Sequence, residues 1–463
     1  MSFNYQTLDP QLAAATEDWV AENFDSKLSQ LIELVKIPSL AWPDVDKQPL
    51  YKSAERISQL LSETNVFETV EIIQSAEVGT PAIIARREAK PGYPQVLLYA
   101  HHDIQPAGDL KQWKTEPFNP EVIDDRLFGR GASDDKAGVV THLAAAEMLR
   151  DIEGDINVGL TVFIEGEEEI GSPNFSDFLK TNRERLEADL IVVADSGNFE
   201  LDTPALTTSL RGLVSVEFSI TTLDHPLHSG VFGGVVPDSM MVLTKLLASF
   251  HDENGSVAVQ GLKQMPDSGI EVPEEFIRLQ SGVLEGVDLI GKGNLVDRSW
   301  YQPSITVIGI DNPSVSDSSN TLQAKSRCKI SARIAPNDDP ASALQALKDH
   351  IVANVSFGAE VEFGEVELGS PYLARNSWAT KLAKDSMAQA YGKQAIDMGV
   401  GGSIPFIAEF VRQFPESEVL VTGVEDPDAR AHSPNESQHL PTLRKAMQTH
   451  GLILLQANRI VAE

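Results

Sequence analysis

Four short apolar runs, each followed by residues able to bind a metal ion, constrain the fold more than any other feature of this sequence. The runs cover residues 96–99, 158–164, 190–194 and 419–421. Apolar runs of this length, separated by helical patterns, are typical of buried strands in an α/β sheet. The residues that follow them are His101, the acidic segment 165–169, Asp195 and a loop containing His432. Because ligands bind at the carboxyl ends of such strands, we expect these scattered residues to converge.

Each of these residues also has an ordinary structural explanation. A histidine at a strand end is commonly just hydrogen-bonded, and the segment 165–169 could be a solvated loop. Asp134, in the polar loop 129–136, could cap the helical pattern that follows it. Against this, carboxylates clustered directly after a buried strand need a compensating cation. Spacing alone leaves both interpretations open, and a site of histidine and carboxylate would suit zinc, manganese or cobalt.

Composition excludes several classes of protein. The net charge of −31 argues against nucleic acid as a partner, because phosphates attract basic surfaces. Cys328 is the only cysteine, which excludes an intramolecular disulfide and a thiolate metal site. Residues 1–11 show neither a basic nor an apolar signal region, and no apolar run is long enough to span a membrane. We therefore expect a soluble, cytoplasmic protein with no membrane partner.

The pattern changes near residue 207, and a chain of 463 residues is long enough for two domains. Apolar and polar residues alternate over 214–220 and 324–333, as in strands with one solvated face. Helical patterns at 238–250 and 340–355 and a strand pattern at 360–368 complete a small α+β unit. We predict that this unit, residues 207–371, is inserted into an α/β domain of residues 1–206 and 372–463. That larger domain should hold a central, mostly parallel sheet flanked by helices.

Eight segments that carry the polar residues follow one another in a characteristic order. They are 100–106, 113–118, 129–136, 168–172, 194–196, 228–234, 401–405 and 431–436. Together they resemble the carnosinase, aminoacylase and carboxypeptidase G family of co-catalytic metallopeptidases, and they span nearly the whole chain. The resemblance implies a catalytic metal-binding domain and an inserted lid domain that pairs two subunits into a homodimer.

The resemblance also implies a set of metal ligands. His101 and Asp195 would hold one divalent ion, Glu169 and His432 a second, and Asp134 would bridge the two. Zn²⁺ is the usual metal of the family, Mn²⁺ serves many carnosinase-like members, and Co²⁺ is a further alternative.

Catalysis in this family depends on a glutamate beside a metal ligand. The run of three glutamates matches the family pattern when Glu168 is the general base and Glu169 the ligand, which leaves Glu167 outside the site. Asp103 lies two residues after His101, so both side chains point to one face of an extended segment. It resembles the family carboxylate that orients the imidazole ligand.

The remaining matched residues concern the substrate. Arg333 matches the arginine that binds a C-terminal carboxylate, to which a guanidinium can bond through two parallel hydrogen bonds. Gly402 and Ser403 would donate to the same carboxylate. His228 matches a lid histidine that donates to the oxyanion in the active site of the partner subunit. Without the resemblance, Arg333 and His228 would pass for ordinary solvent-facing side chains.

Three functions remain after this comparison. A dipeptidase that hydrolyses small peptides is favoured, because the segments are most similar to the carnosinase-like branch. The alternative is an N-acyl-amino-acid deacylase of the acetylornithine deacetylase or succinyl-diaminopimelate desuccinylase type. A non-catalytic relative would be expected to lack a ligand or the base, and this chain lacks neither. Departures from the family pattern at His102, Ala100, Ala332 and Ala335 concern substrate preference.

Overall fold

The computed structural model describes residues 3–76, 79–402 and 404–462, which form two compact units. The first unit contains the described residues up to Thr208, then Ala374–Met398, and those from Glu409 onward. The second unit contains Ser209–Leu373 and the described part of 399–408. No helix among the described residues is both long and apolar enough to cross a membrane.

The elements alternate between helix and strand through most of the first unit. The strands are β1 (Thr69–Gln74), β2 (Pro81–Arg87), β3 (Gln95–His101), β4 (Glu121–Ile123), β5 (Arg126–Phe128), β6 (Gly159–Glu165), β7 (Leu190–Val193), β8 (Ala205–Leu210), β9 (Gly212–Thr221), β10 (Leu227–His228), β11 (Ser304–Asp311), β12 (Thr321–Leu322), β13 (Lys325–Ile334), β14 (Glu360–Gly369), β15 (Tyr372–Leu373), β16 (Ile396–Val400), β17 (Glu418–Val421) and β18 (Ser437–His439). The helices are α1 (Pro10–Val35), α2 (Gln48–Glu63), α3 (Lys136–Glu153), α4 (Phe175–Thr181), α5 (Arg183–Leu186), α6 (Ser229–Phe232), α7 (Ser239–Ala248), α8 (Glu274–Ser281), α9 (Leu295–Trp300), α10 (Pro340–Asn354), α11 (Trp378–Tyr391), α12 (Pro405–Gln413) and α13 (Leu440–Ala457). Short 3-10 turns occur at Leu110–Gln112, Glu168–Ile170 and Val315–Asp317.

The first unit is built on a large mixed sheet, in which strands follow the order β1-β2-β6-β3-β7-β17-β8. Strands β6, β3, β7 and β17 run parallel to one another, and they correspond to the four apolar runs of the sequence. Strands β1 and β2 add to one side in antiparallel pairing. The predicted α/β class is confirmed, and the sheet is mixed, with parallel pairing among β6, β3, β7 and β17.

Burial explains why the central strands read as continuous apolar runs. Every residue of β3 and of β6 is buried, because helices cover both faces of such a sheet. Helix α3 packs against α13 and against β3, and it ends at Gly154, whose φ of 73° suits a glycine. The first turn of α3 directly follows the loop that carries Asp134.

The second unit contains a four-stranded antiparallel sheet with the order β11-β13-β9-β14. Val214, Val216, Phe218 and Ile220 of β9 are buried together with residues of α7 and α10. Their neighbours on the other face of the strand are Leu213, Ser215, Glu217 and Ser219, which pair with Arg333, Ser331, Lys329 and Arg327 of β13. The alternation seen in the sequence therefore separates an apolar face from a polar face that bears a row of basic residues.

Candidate metal centre

The parallel strands bring the polar residues of the first unit to one edge of the sheet. His101, the last residue of β3, pairs with Glu165, the last residue of β6. Strand β7 ends at Val193, two residues before Asp195, and β17 ends in the loop that leads to His432. The carboxyl ends of these parallel strands thus bring together residues that the sequence singled out as candidate ligands.

Asp134 lies between two imidazoles. Its Oδ1 atom is 3.0 Å from Nε2 of His101, and its Oδ2 atom is 2.9 Å from Nε2 of His432. Each carboxylate oxygen therefore faces a different histidine, an arrangement that would allow one carboxylate to contact two ions. Asp134 is buried, whereas the His432 side chain is 58% exposed at the mouth of the site.

The other two predicted ligands lie beside these histidines. Glu169 places Oε2 at 3.1 Å from Nε2 of His432, and Asp195 places Oδ2 at 3.9 Å from Nε2 of His101. Ligand atoms of Asp134, Glu169 and His432 lie within 4.8 Å of one another, and so do those of His101, Asp135 and Asp195. The geometry brings together all five residues and adds Asp135, which the sequence did not single out.

The donor set fits divalent cations. Oε1 of Glu169 and Oδ1 of Asp135 are buried and have no hydrogen-bond partner among the described residues. A buried carboxylate oxygen without a partner is costly unless a cation balances it. Imidazole nitrogens and carboxylate oxygens without thiolate suit Zn²⁺, Mn²⁺ or Co²⁺.

The three adjacent glutamates differ in the contacts that their side chains make. Glu167 accepts hydrogen bonds from the hydroxyls of Ser75 (2.8 Å) and Thr80 (2.9 Å), and from the backbone and side chain of Asn174 (3.0 and 3.1 Å). Both of its oxygens are occupied by the surrounding structure. Glu168 and Glu169 begin the short 3-10 turn that follows. Glu169 contacts His432 through Oε2, and the carboxyl group of Glu168 interacts electrostatically with His101 and Asp195.

Asp103 connects the histidine ligand to the glutamate turn. Its two carboxylate oxygens accept the backbone N–H groups of Glu168 (3.1 Å) and Glu169 (3.0 Å). Nδ1 of His101 lies 3.1 Å from the Asp103 carbonyl and 3.4 Å from its carboxylate. Of the two contacts that Asp103 makes with the imidazole, the shorter is therefore that of its main-chain carbonyl, and the carboxylate chiefly fixes the turn.

Glu436 organises the loop of Asp134, a role that the sequence did not reveal. Its Oε1 accepts the N–H groups of Ser133 (3.0 Å) and Asp134 (3.1 Å), and its Oε2 accepts that of Gly131 (3.0 Å). Nη1 of the buried Arg130 also donates to Oε2, at 2.5 Å. In the sequence, the one indication of this role is that Glu436 is the last residue of the matched segment 431–436, which also contains His432.

The loop of His432 is held in an unusual backbone conformation. Arg430, His432 and Asn435 all have positive φ, with values of 58°, 61° and 66°. For residues other than glycine this conformation costs about 1 kcal/mol or more each, and such residues cluster at functional sites. The loop therefore lowers the free energy of unfolding, and in this conformation His432 faces Asp134.

Electrostatics in the centre follow from burial and from these contacts. Burial opposes protonation of His101, but hydrogen bonds to Asp103 and Asp134 outweigh it and raise its pKa well above 6.5. Hydrogen bonds to Asp134 and Glu169 raise the pKa of His432 to about 11.

Burial, together with the charges of Asp134 and Glu169, raises the pKa of Asp195 to about 7. Burial also raises the pKa of Glu168 well above its usual range. The cluster holds an excess of negative charge that positive groups must balance.

The residues expected to contact substrate belong to the second unit. His228 precedes α6, is exposed, and its Nδ1 accepts the N–H of Gly230 at 3.0 Å. A neutral imidazole with Nδ1 as acceptor carries its proton on Nε2, which is then a donor. Arg333 is half-buried at the end of β13, and Gly402 follows β16. Ser403 lies outside the described residues.

Comparison with known proteins places this geometry in context. The model of peptidase family M20/M25/M40 matches residues 97–456. The chain is 33% identical over 361 residues to the cysteinylglycine-S-conjugate dipeptidase of Corynebacterium striatum, covering 77% of this chain and 79% of that protein. It is 28% identical over 386 residues to the Cys-Gly metallodipeptidase of Schizosaccharomyces pombe, covering 80% and 81%. The solved structure of human carnosine dipeptidase 1 shares the fold, with a TM-score of 0.74 at 23% identity, covering 97% of this chain and 99% of that chain.

Proposed function

The chain belongs to peptidase family M20/M25/M40, and on that premise we propose that it is a metal-dependent dipeptidase that hydrolyses the amide bond of small peptides. The observation that carries the proposal is the position of Asp134, whose two oxygens face His101 and His432 at 3.0 and 2.9 Å. A shared carboxylate between two histidines suits a pair of divalent ions that act on one substrate.

We propose the following division of ligands between the ions. His101 and Asp195 would hold one ion, Glu169 and His432 would hold the other, and Asp134 would be a ligand to both. When bound, the ions supply Lewis acidity and lower the pKa of water toward neutrality. Zn²⁺ is the proposed native metal, with Mn²⁺ and Co²⁺ as alternatives that the same donors accept.

The proton transfers belong to Glu168. It takes a proton from the attacking water and delivers it to the leaving amine, as a general base that then acts as a general acid. Asp103 fixes the backbone of Glu168 and so sets the direction of its carboxylate. Burial favours the neutral form of Glu168 after it has accepted the proton.

The second unit supplies the substrate contacts in this proposal. Arg333, Gly402 and Ser403 bind the C-terminal carboxylate of the dipeptide. His228 donates from Nε2 to the oxyanion that develops on the scissile carbonyl. It does so in the active site of the partner subunit, and the second unit joins the two subunits of a homodimer.

The relatives support a dipeptide rather than an acylated amino acid as substrate. Those of Corynebacterium striatum and Schizosaccharomyces pombe are named for the hydrolysis of cysteinylglycine conjugates and Cys-Gly.

Cys328 is the sole cysteine of the chain and is buried as a free thiol. Such cysteine usage suits a reducing compartment, and we propose that the enzyme acts in the cytoplasm.

A substrate panel tests the proposal. The chain is stripped with a chelator, reconstituted separately with Zn²⁺, Mn²⁺ or Co²⁺, and assayed on dipeptides and on N-acetyl and N-succinyl amino acids. We expect dipeptides to be hydrolysed and acylated amino acids to be at least about tenfold poorer in kcat/KM. The Glu168→Gln protein, purified identically, controls for contaminating peptidases. Preferential cleavage of acylated amino acids would make the protein a deacylase instead.

A further inference from the structure

Arg211 is a buried arginine at the junction of β8 and β9, on the polar face of the second unit's sheet. It precedes Gly212, the first residue of β9, and Leu213 pairs directly with Arg333 of β13. In an extended segment residues 211 and 213 point to the same face, so Arg211 is a diagonal neighbour of Arg333. The two guanidinium groups therefore lie on one face at the same end of two adjacent strands.

The contacts of Arg211 tie it to the segment that precedes Gly402. Its backbone N–H donates to the carbonyl of Val400 (3.2 Å), and its Nε donates to the carbonyl of Gly401 (3.0 Å). Its Nη1 donates to the carbonyl of Gln302 (3.1 Å) and to Oγ of Ser304 (3.2 Å). The guanidinium group of Arg211 thus connects the 400–401 segment to the start of β11.

Nη2 makes none of these bonds and lies beside Gly401. A Cβ atom at position 401 would be 3.0 Å from Nη2 of Arg211 and 3.1 Å from the carbonyl of Ser299. A side chain here would crowd the guanidinium, which would have to shift by a few tenths of an ångström. With glycine at this position, the guanidinium lies against the Gly401 backbone.

The charge around Arg211 is unusual for this chain. Two basic side chains farther along this face have acidic partners, since Arg327 pairs with Asp311 and Glu217, and Lys325 with Glu362. Arg211 bonds only to neutral groups and has no ion pair among the described residues, although the chain has 68 acidic residues against 37 basic ones. Burial, and then the neighbouring charge of Arg333, lower its pKa to about 10. The site holds a positive charge that a bound anion would balance.

We infer that Arg211 is a positioning residue for the substrate's C-terminal carboxylate, because it fixes the Gly401–Gly402 backbone and adds a second positive charge beside Arg333. This inference rests on the proposed dipeptidase function and deepens it. It makes a free carboxylate a requirement of the substrate, because an amidated peptide offers no charge to the paired arginines. The enzyme should therefore discriminate dipeptides from dipeptide amides, and Arg211 should set much of that discrimination.

The test compares Cys-Gly with Cys-Gly amide for four proteins: the wild type, Arg211→Gln, Arg211→Lys and Arg327→Gln. We expect both Arg211 variants to raise KM for Cys-Gly by about tenfold, because lysine keeps the charge but not the fork. The values for the amide should change less than about twofold, so the discrimination falls. Arg327→Gln removes an exposed arginine of the same face and should leave both substrates unchanged.

A purely structural role for Arg211 predicts a different result, namely a parallel loss of activity on both substrates. Thermal melts of each variant show whether it is folded. If both replacements of Arg211 fail to fold, Gly401→Ala provides the same test, because its Cβ displaces the guanidinium without removing it. Any folded variant of Arg211 or Gly401 that keeps the wild-type ratio of KM values overturns the inference. If the wild type hydrolyses no dipeptide with any metal, it is the proposed function that fails.

Discussion

Glu436 accepts a hydrogen bond from the backbone N–H of Asp134 at 3.1 Å, although 302 positions separate the two residues in the chain. The same carboxylate binds the N–H groups of Gly131 and Ser133 and the guanidinium of Arg130. The orientation of the Asp134 carboxylate therefore depends on a residue that lies four positions after His432. The candidate metal centre and its support share one C-terminal segment.

Replacement of Glu436 by glutamine should weaken both the fold and the metal centre. An amide cannot accept hydrogen bonds at its nitrogen, so two of the four donors that Glu436 binds lose their acceptor, and Arg130 loses its ion pair. We expect a loss of about 3 kcal/mol or more in the free energy of unfolding. Metal affinity should fall by about 10–100-fold.

Thermal melts and metal titration of the Glu436→Gln protein check both effects. The exposed Glu68, replaced in the same way, serves as the control for loss of one negative charge. Metal affinity equal to that of the wild type would show that the Asp134 loop does not need Glu436.

Glu168 and Glu167 should give opposite results when each is replaced by glutamine. Glu168→Gln should bind metal normally and lose about 10²–10⁴-fold in kcat, the usual contribution of a general base. Glu167→Gln should lower the melting temperature, since Glu167 accepts four hydrogen bonds, but keep most of the turnover. Metal content and kcat of both proteins are the measurements. Loss of turnover in Glu167→Gln with a normal melting temperature would mean that the register is shifted by one residue.

A pair of buried histidines makes stability depend on pH. His142 and His450 approach within 3.4 Å through their Nδ1 atoms, and both are buried. Burial lowers the pKa of His142 to about 4 and that of His450 well below 6.5. The unfolded chain therefore binds more protons than the folded one below pH 6.5, and stability falls as the pH falls from there toward 4.

Each of these histidines should cost about 1.4 kcal/mol of stability per pH unit within that window. His142→Gln removes one titrating group, and its amide can still donate to the carbonyl of Tyr99, which now accepts Nε2 of His142 at 2.9 Å. Denaturant unfolding between pH 4 and 6.5 should show a shallower slope of stability against pH for this variant than for the wild type. Equal slopes for the two proteins would contradict a neutral, buried His142.

Two inactive variants should restore activity when they are mixed. If His228 acts in the partner's site, a dimer of one Glu168→Ala and one His228→Ala subunit contains one intact site. Random exchange of subunits in equal amounts should give about a quarter of the wild-type activity, since half of the dimers are mixed and each has one working site. Absence of activity, with mixed dimers demonstrated by two affinity tags, would place His228 outside the site of the partner.

The fold class and the central strands could be predicted from the sequence because these features depend on local patterns. Fully buried strands such as β3 and β6 must be apolar throughout, and the alternation of β9 follows from its one covered face. The family and the metal-dependent hydrolysis of dipeptides followed from ordered motifs, and the comparisons confirm them. Strand β1 left no such signal, because its residues are exposed or half-buried and it pairs at the antiparallel side of the sheet.

Contacts between distant parts of the chain could not be predicted from the same patterns. Glu436 binds backbone N–H groups, which every residue other than proline offers, so nothing in the sequence marks its partners. Asp135 stands beside Asp134 and differs from it only in direction, with one oxygen 3.1 Å from the backbone N–H of His101. Arg211 resembled any other charged residue before its neutral partners were known.

The order of segments in the chain determines when the centre can form during synthesis. His101, Asp134, Glu169 and Asp195 precede the second unit, whereas His432 and Glu436 follow it. A nascent chain that has emerged through the second unit therefore still lacks the histidine opposite Asp134 and the carboxylate that holds its loop. If these residues form the active site, we expect hydrolytic activity only after translation has passed His432 and Glu436, and unfinished chains on the ribosome should be inert toward the peptides around them.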